Sequence, residues 1–238
     1  MPQQARARLE QRLQKTPNDS AVLALAGRTW AATGDTAKGE ELLRRAIAAD
    51  PSNFDAYSLL AVLYVFERKL DQAIAEFDKL AARQPGAAGP PTMAAIILQA
   101  QGKDEEARLR YERVVEANPR AAVASNNLAW MYASRGERLD RALQLAQAAK
   151  AELPEHPEVN DTLGFVYLKK QLPSLAIPPL RLAVEKGPTN PAFHYHLGLA
   201  YAQTGDKAAA RQALEQALRL KTDFEGAEDA RKVLRTLG

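Results

Sequence analysis

An all-α solenoid of helix–turn–helix repeats is the fold this 238-residue chain predicts, and three observations predict it. Proline falls at a near-constant step: Pro17, Pro51, Pro85 and Pro119 stand 34 residues apart, Pro154 follows after 35, and Pro188 after another 34. Small residues recur in register at Gly27, Ala61, Ala95, Ala129, Gly164 and Gly198, and three positions after each comes Trp30, Tyr64, Leu98, Tyr132, Tyr167 or Tyr201. Ala, Leu, Glu, Arg and Gln, all good helix formers, dominate the composition. A self-similar step of 34 means one two-helix unit repeated, each copy burying its apolar face on its neighbours.

The chain opens in the middle of such a unit. Residues 3–15 read as a lone second helix with Leu9 and Leu13 facing the core, so 1–19 form a half-repeat, as expected of a segment from a longer array or of an unusual N-terminal cap. Six repeats follow, at 20–53, 54–87, 88–121, 122–156, 157–190 and 191–224. Residues 225–238 read as a capping helix with Ala227, Ala230, Val233, Leu234 and Leu237 on its apolar side. The unbroken period argues for a single solenoid rather than two globular domains.

Close packing explains the small sites. Gly or Ala lets two helix backbones approach, and the larger residue fills the hole beside it. A second small series runs Gly39, Ala73, Ala107, Ala142, Ala176 and Ala210, and a less strict third runs Ala46, Leu80, Val114, Ala149, Ala183 and Ala217. Proline ends each second helix because it cannot continue the hydrogen-bond ladder. Within repeats, Gly34-Asp35, Gly102-Lys103-Asp104, Gly136-Glu137 and Gly205-Asp206 supply a left-handed helix end followed by an N-cap. One extra residue lies between Tyr132 and Ala142 and is placed in the Gly136–Asp140 turn, since a packed helix would not absorb it.

Two repeats depart from the pattern. In the third, Pro90 and Pro91 open the first helix, Ala94, Ala95 and Leu98 replace bulkier residues, and 84–91 reads as a long, loose turn, with a hinge as the alternative. In the fifth, Pro173 suits a first helical position, but Pro178 and Pro179 each remove an amide donor at about 3 kcal/mol apiece, so this helix is expected to kink or start late.

No constellation points to catalysis. His194 and His196 are two apart on a helix and cannot chelate one metal, and His156 falls in a loop. Glu155, Glu158 and Asp161 read as dipole complementarity at a helix start. With no cysteine, phosphate loop, dinucleotide fingerprint or triad-like set, neither an enzyme, a cofactor nor a metal is expected. The net charge of +3 is spread among acids, which argues against nucleic acid, and no apolar stretch could span a membrane. The opening residues are not a signal peptide, and the absence of cysteine suits either cytoplasm or periplasm.

The recurring small and bulky positions resemble the tetratricopeptide repeat (TPR) family over nearly the whole chain. That resemblance implies a right-handed superhelix, a non-catalytic protein-interaction role, and a groove lined by the first helices, which would hold a protein or peptide ligand. Carried over by position, Val62, Ile96, Trp130, Phe165 and Leu199 form one groove row, and Ser58, Thr92, Asn126, Asp161 and Tyr195 the next. Phe66 stands near a helix end, with Tyr195 a further groove aromatic. An apolar row with an aromatic centre suits an amphipathic helix or apolar peptide, and Asn126 can pair with a ligand backbone. The alternative is that the row packs helix on helix. A clamp for chaperone tails is not implied: of Ala24, Arg28, Val62, Gly89 and Met93 at the matching sites, only Arg28 is basic.

A finer resemblance lies in the C-terminal half. The strings Asn126-Asn127-Leu128-Ala129-Trp130, Pro154-Glu155-His156-Pro157, Asp161-Thr162-Leu163-Gly164-Phe165 and His194-Tyr195-His196-Leu197-Gly198 are similar to bacterial cell-envelope arrays of exosortase and exopolysaccharide systems. This implies a scaffold in polysaccharide export or protein sorting in the periplasm or cell envelope, with the cytoplasm as the other compartment. Two rival roles are a regulatory module of a larger enzyme or synthase machine, and a homo-oligomer formed by stacking at the open N-terminal edge.

Overall fold

The computed structural model describes residues 2–50 and 53–237. Pro51, one of the periodic prolines, lies outside them. The described residues form fourteen α-helices and no strand. They are α1 (Pro2–Lys15), α2 (Ser20–Ala32), α3 (Thr36–Ala49), α4 (Phe54–Phe66), α5 (Leu70–Arg83), α6 (Gly89–Ala100) and α7 (Asp104–Ala117), then α8 (Ala122–Arg135), α9 (Leu139–Glu152), α10 (Pro157–Lys169), α11 (Pro173–Lys186), α12 (Pro191–Thr204), α13 (Lys207–Leu220) and α14 (Ala227–Thr236). The chain divides into two compact units, residues 1–110 and 111–238, with the boundary inside α7.

In the first unit α1 packs on α2, α2 on α3, α3 on α4, α4 on α5 and α5 on α6, while α2 also touches α4. Leu9 and Leu13 are the half-buried side of α1. Arg6 ties α1 down: its Nε donates to Thr33 Oγ1 (2.7 Å), its guanidinium donates to the Trp30 carbonyl, and it lies over the Trp30 ring. The end of α2 thus gains a side-chain donor beside the Thr33 and Asp35 amides that already bond the Trp30 carbonyl. α6 opens with Pro90 and Pro91 in its first turn, after the connector 84–88.

In the second unit α8 packs on α9, α10 on α11 and α12 on α13, with α8, α10 and α12 also meeting successively. The small positions do what close approach requires. A Cβ on Gly164 would lie 2.3 Å from Leu180 Cγ, and one on Gly198 would lie 2.6 Å from Leu214 Cγ. Ala142, Ala149, Ala176, Ala183, Ala210 and Ala217 are fully buried along the second helices. α14 packs on α12 and α13, burying Ala227, Ala230 and Leu237.

The turns follow the local chemistry. Asp35 and Asp206 accept from the amides of Lys38 and Ala209, and Asp19, Asn53 and Asn190 cap α2, α4 and α12 in the same manner. Arg68 and Gln171 take the left-handed backbone at φ 62° and 59° where other repeats use glycine. In the fourth repeat both Gly136 and Arg138 are left-handed, at φ 69° and 44°, because the inserted residue lengthens that turn.

Of the two outcomes expected for the fifth repeat's second helix, a kink or a late start, the late start is corrected. α11 does not start late: it begins at Pro173 and carries Pro178 and Pro179 inside it. Ala176, Leu180 and Ala183, all fully buried, hold the helix across the missing amide donors, so tertiary packing outweighs the local cost.

Candidate functional site

The site grows from the first helices of the second unit. Trp130 on α8 and Phe165 on α10 are each half-buried and stacked, with ring centroids 4.5 Å apart at 29°. His196 on α12 adds a third ring, 4.9 Å from Phe165 and 5.7 Å from Trp130. Tyr195 stands 5.3 Å from His196, and the Lys169 ammonium lies 5.1 Å from the Phe165 ring centre. The repeat step matches Trp130 with Phe165, whereas His196 comes three residues before Leu199, the matching position on α12.

Beneath the rings runs a buried polar pair. His196 Nδ1 donates to Asp161 Oδ1 at 2.8 Å, and the two side chains are only 6% and 7% exposed. A carboxylate oxygen accepts here, so the imidazole N–H at Nδ1 is the donor of this bond. Asp161 therefore does not face solvent as a groove residue, nor does it act chiefly on the helix dipole. Glu155 and Glu158, grouped with it in the sequence, are exposed and pair instead with Lys186 and His156.

Asn126, one turn before Trp130, is half-buried. Its Oδ1, like Ser125 Oγ, is a buried atom with no hydrogen-bond partner among the described residues. An acceptor left in this state costs about 1–3 kcal/mol, while the amide of the same side chain donates to Asn127 Oδ1 at 3.4 Å. The neighbouring Asn127 is engaged, donating to Tyr111 Oη at 3.1 Å. Burial pushes the Tyr111 phenol up to about 12.

Tyr195 is covered by its own chain. Its hydroxyl donates to Asp229 Oδ2 at 2.9 Å, Phe224 packs edge-on at 5.7 Å, and Gly226 at φ 97° brings backbone against the ring. Burial, then the bond to Asp229, raises its phenol pKa. Leu199 packs against the core of Leu168, Ala176, Leu180, Leu197 and Ala200. In the first unit, Val62 and Phe66 on α4 are exposed and Ile96 on α6 is half-buried.

His196 escaped the sequence reading because a histidine beside another histidine was weighed only as a metal ligand. The missed signal was its step of 35 residues from Asp161. Its neighbour in the strings, His194, is buried with Nε2 2.8 Å from the Pro188 carbonyl, a structural contact. Asn160, fully buried, donates to the carbonyls of Pro154 (3.1 Å) and His156 (2.8 Å) and accepts from Lys150, whose pKa burial lowers. It locks the turn that sets the start of α10. Among the described residues no group of acidic or histidine side chains could hold a metal, and no helix is long and apolar enough to cross a membrane.

Comparison with known proteins agrees with this architecture. Two tetratricopeptide repeat models match, one over residues 1–63 and 31–89, the other over 92–157 and 163–223. The chain belongs to the tetratricopeptide repeat family, whose all-α superhelical fold serves as a protein–protein interaction scaffold. The human protein O-mannosyl-transferase TMTC1 is 26% identical over 201 residues, which covers 83% of this chain but 23% of that protein. The chain thus spans about a quarter of that relative's length. Among solved structures, Pseudomonas aeruginosa pilF is 19% identical with a TM-score of 0.72, covering 90% of this chain and 97% of pilF. YrrB, described as a TPR protein with an unusual peptide-binding site, is 19% identical with a TM-score of 0.55, covering 78% of this chain and 95% of its own.

Proposed function

We propose that this chain is a non-catalytic scaffold that holds a peptide or helix of a partner protein on the first-helix face of its second unit. The observation that carries the reading is the stacked, half-buried pair Trp130–Phe165 beside the unpartnered Asn126 Oδ1. Aromatic rings supply large contact area at small entropic cost, and interface hot spots are enriched in tryptophan for that reason. Asn126 supplies a donor and an acceptor for ligand backbone. His196, fixed by Asp161 and buried, packs against Trp130 and Phe165, and Asp161 acts on a ligand only through it. The peptide-binding site in YrrB's description supports the same class of ligand.

The test is a pull-down from extracts with wild type and the Trp130→Ala, Asn126→Ala double variant, each first shown to be folded by circular dichroism. A partner retained by wild type and lost by the variant is expected. Equal retention would move the binding site off this face.

A role in bacterial envelope polysaccharide export or protein sorting rests on the residue strings of the C-terminal half alone. A second reading has its own support: the match to a fraction of a much longer glycosyl-transfer protein fits a repeat module that positions substrates for an enzyme on the same or another chain. A partner from the pull-down that carries a catalytic domain would favour it.

A further inference from the structure

A cavity of about 800 Å3 opens between α11 and α13, over α12, and shares no residue with the Trp130–Phe165 row. Val184, Leu197 and Tyr201 give it an apolar lining, and Arg181, Arg211 and Arg219 stand around it. Its two carboxylates, Glu185 and Glu215, are exposed, and against them the three guanidinium groups leave an excess of one positive charge. The first two repeats hold a complete version of the same arrangement. Arg44, Tyr64 and Glu40 are the counterparts, four repeats earlier, of Arg181, Tyr201 and Ile177. Arg44 Nε donates to Glu40 Oε1 at 2.9 Å, and the Tyr64 hydroxyl donates to the same oxygen at 2.9 Å. Tyr132 likewise donates its hydroxyl to a carboxylate of the preceding second helix, that of Glu112. In the fifth and sixth repeats the guanidinium and the phenol are kept, but Ile177 replaces the carboxylate and packs on the core of Leu180 and Leu197. Arg181 is exposed and Tyr201 half-buried, and neither side chain makes a hydrogen bond or ion pair among the described residues. Tyr167 of the same series also lacks a carboxylate, but Gln147 stands at the place that Arg181 takes beside Tyr201.

We propose that this cavity binds a carboxylate with an apolar body, the carboxylate accepting from Tyr201 Oη and pairing with the Arg181 guanidinium as Glu40 does with Tyr64 and Arg44. The planar guanidinium fork matches two carboxylate oxygens, and a charge-assisted bond is about twice as strong as a neutral one. A phenol that keeps its O–H free is a donor aimed at the same acceptor. The volume falls within the range of about 300–1,000 Å3 typical of small-molecule sites, so an apolar body fits against Val184 and Leu197. Arg219, exposed and also without a partner among the described residues, adds to the positive field. Glu185 and Glu215 oppose a second anionic group, and the excess of one positive charge matches a single carboxylate. A free organic acid and an acidic side chain of a peptide present the same group to this site.

The experiment is an NMR titration of the nitrogen-15-labelled full chain with three probes: phenylacetate, its neutral analogue phenylacetamide, and a Leu-Glu-Leu tripeptide blocked at both ends. Phenylacetate is expected to shift amides of α11, α12 and α13 saturably, and phenylacetamide to bind at least about tenfold more weakly. Arg181→Gln is expected to weaken phenylacetate about tenfold, and Tyr201→Phe, which keeps the ring and deletes the hydroxyl, about threefold or more. Arg235→Gln, at an exposed arginine of α14 outside the cavity, is expected to leave the affinity unchanged. Circular dichroism checks that each variant stays folded. Tighter binding of the tripeptide than of phenylacetate, lost in the same two variants, would assign the carboxylate to a peptide side chain, and the reverse order to a free acid. No saturable shift with either carboxylate, equal affinity for phenylacetate and phenylacetamide, or unchanged affinity in both Arg181→Gln and Tyr201→Phe would overturn the proposal.

Discussion

Gly164→Ala is expected to destabilise the protein although alanine is the better helix former. Gly164 lies in α10, where exchange to alanine in an open helix would gain about 1 kcal/mol. Here the added Cβ would sit 2.3 Å from Leu180 Cγ and 2.6 Å from its Cδ2. Leu180 is fully buried between the fully buried Ala176 and Ala183, so it has little room to move aside. An overlap above 1 Å puts the packing cost near the top of the usual range of about 1–3 kcal/mol, leaving a net loss of about 2 kcal/mol. Urea unfolding followed by circular dichroism reads this as a lower midpoint. Leu180→Ala alone should cost about 2–5 kcal/mol, and the double variant should cost less than the sum because the new methyl fills part of the space. Gly34→Ala is the contrast. At φ +94° with no atom within 4 Å of the built Cβ, it should pay only the left-handed backbone cost, about 1–2 kcal/mol, with no coupling to any side chain. Stabilisation by Gly164→Ala, or strict additivity with Leu180→Ala, would refute the close-approach argument.

Three further outcomes are expected. Asn160→Ala should cost about 1–3 kcal/mol, since it removes a fully buried side-chain amide that bonds the Pro154 and His156 carbonyls and accepts from Lys150; thermal unfolding measures it. Asp161→Ala should leave His196 without its acceptor and disorder the ring beside Phe165, weakening partner retention while Glu158→Ala, on an exposed residue of the same helix, leaves it unchanged. Tyr64 and Tyr111 should titrate late in an ultraviolet titration, at about 12, because burial, joined at Tyr64 by the carboxylate of Glu40, favours the neutral phenol. Their folded pKa lies above the unfolded value of about 10, so the stability they contribute is intact below that pH and is lost as pH rises toward 12.

Much of the fold was legible because a repeat writes the same packing rule many times. Gly164 and Gly198 mark close approach, and Asp35 and Asp206 mark helix starts, each through local chemistry that spacing alone exposes. The start of α11 was misjudged where local cost and tertiary burial compete: Pro178 and Pro179 argue against the helix, while Ala176, Leu180 and Ala183 are buried along it. In the candidate site, Trp130 and Phe165 were legible from the row, and the structure stacks them. The Asp161–His196 bond was not, since it joins neighbouring repeats at unmatched positions and each residue had a plausible local role. The covering of Tyr195 by Phe224, Gly226 and Asp229 depends on how the last segment folds back on α12, which no periodicity reports. The unpartnered phenol of Tyr201 likewise comes from a break in the pattern, where Ile177 stands in the place of Glu40.

The claim that the second unit's first helices hold the partner is tested most directly by hydrogen–deuterium exchange on the complex recovered by the full chain. The account predicts slowed exchange in peptides of α8 and α10 that contain Asn126, Trp130 and Phe165, with α9 and α11 unchanged. Slowed exchange confined to α9, α11 or α13, with α8 and α10 unaffected, would contradict it.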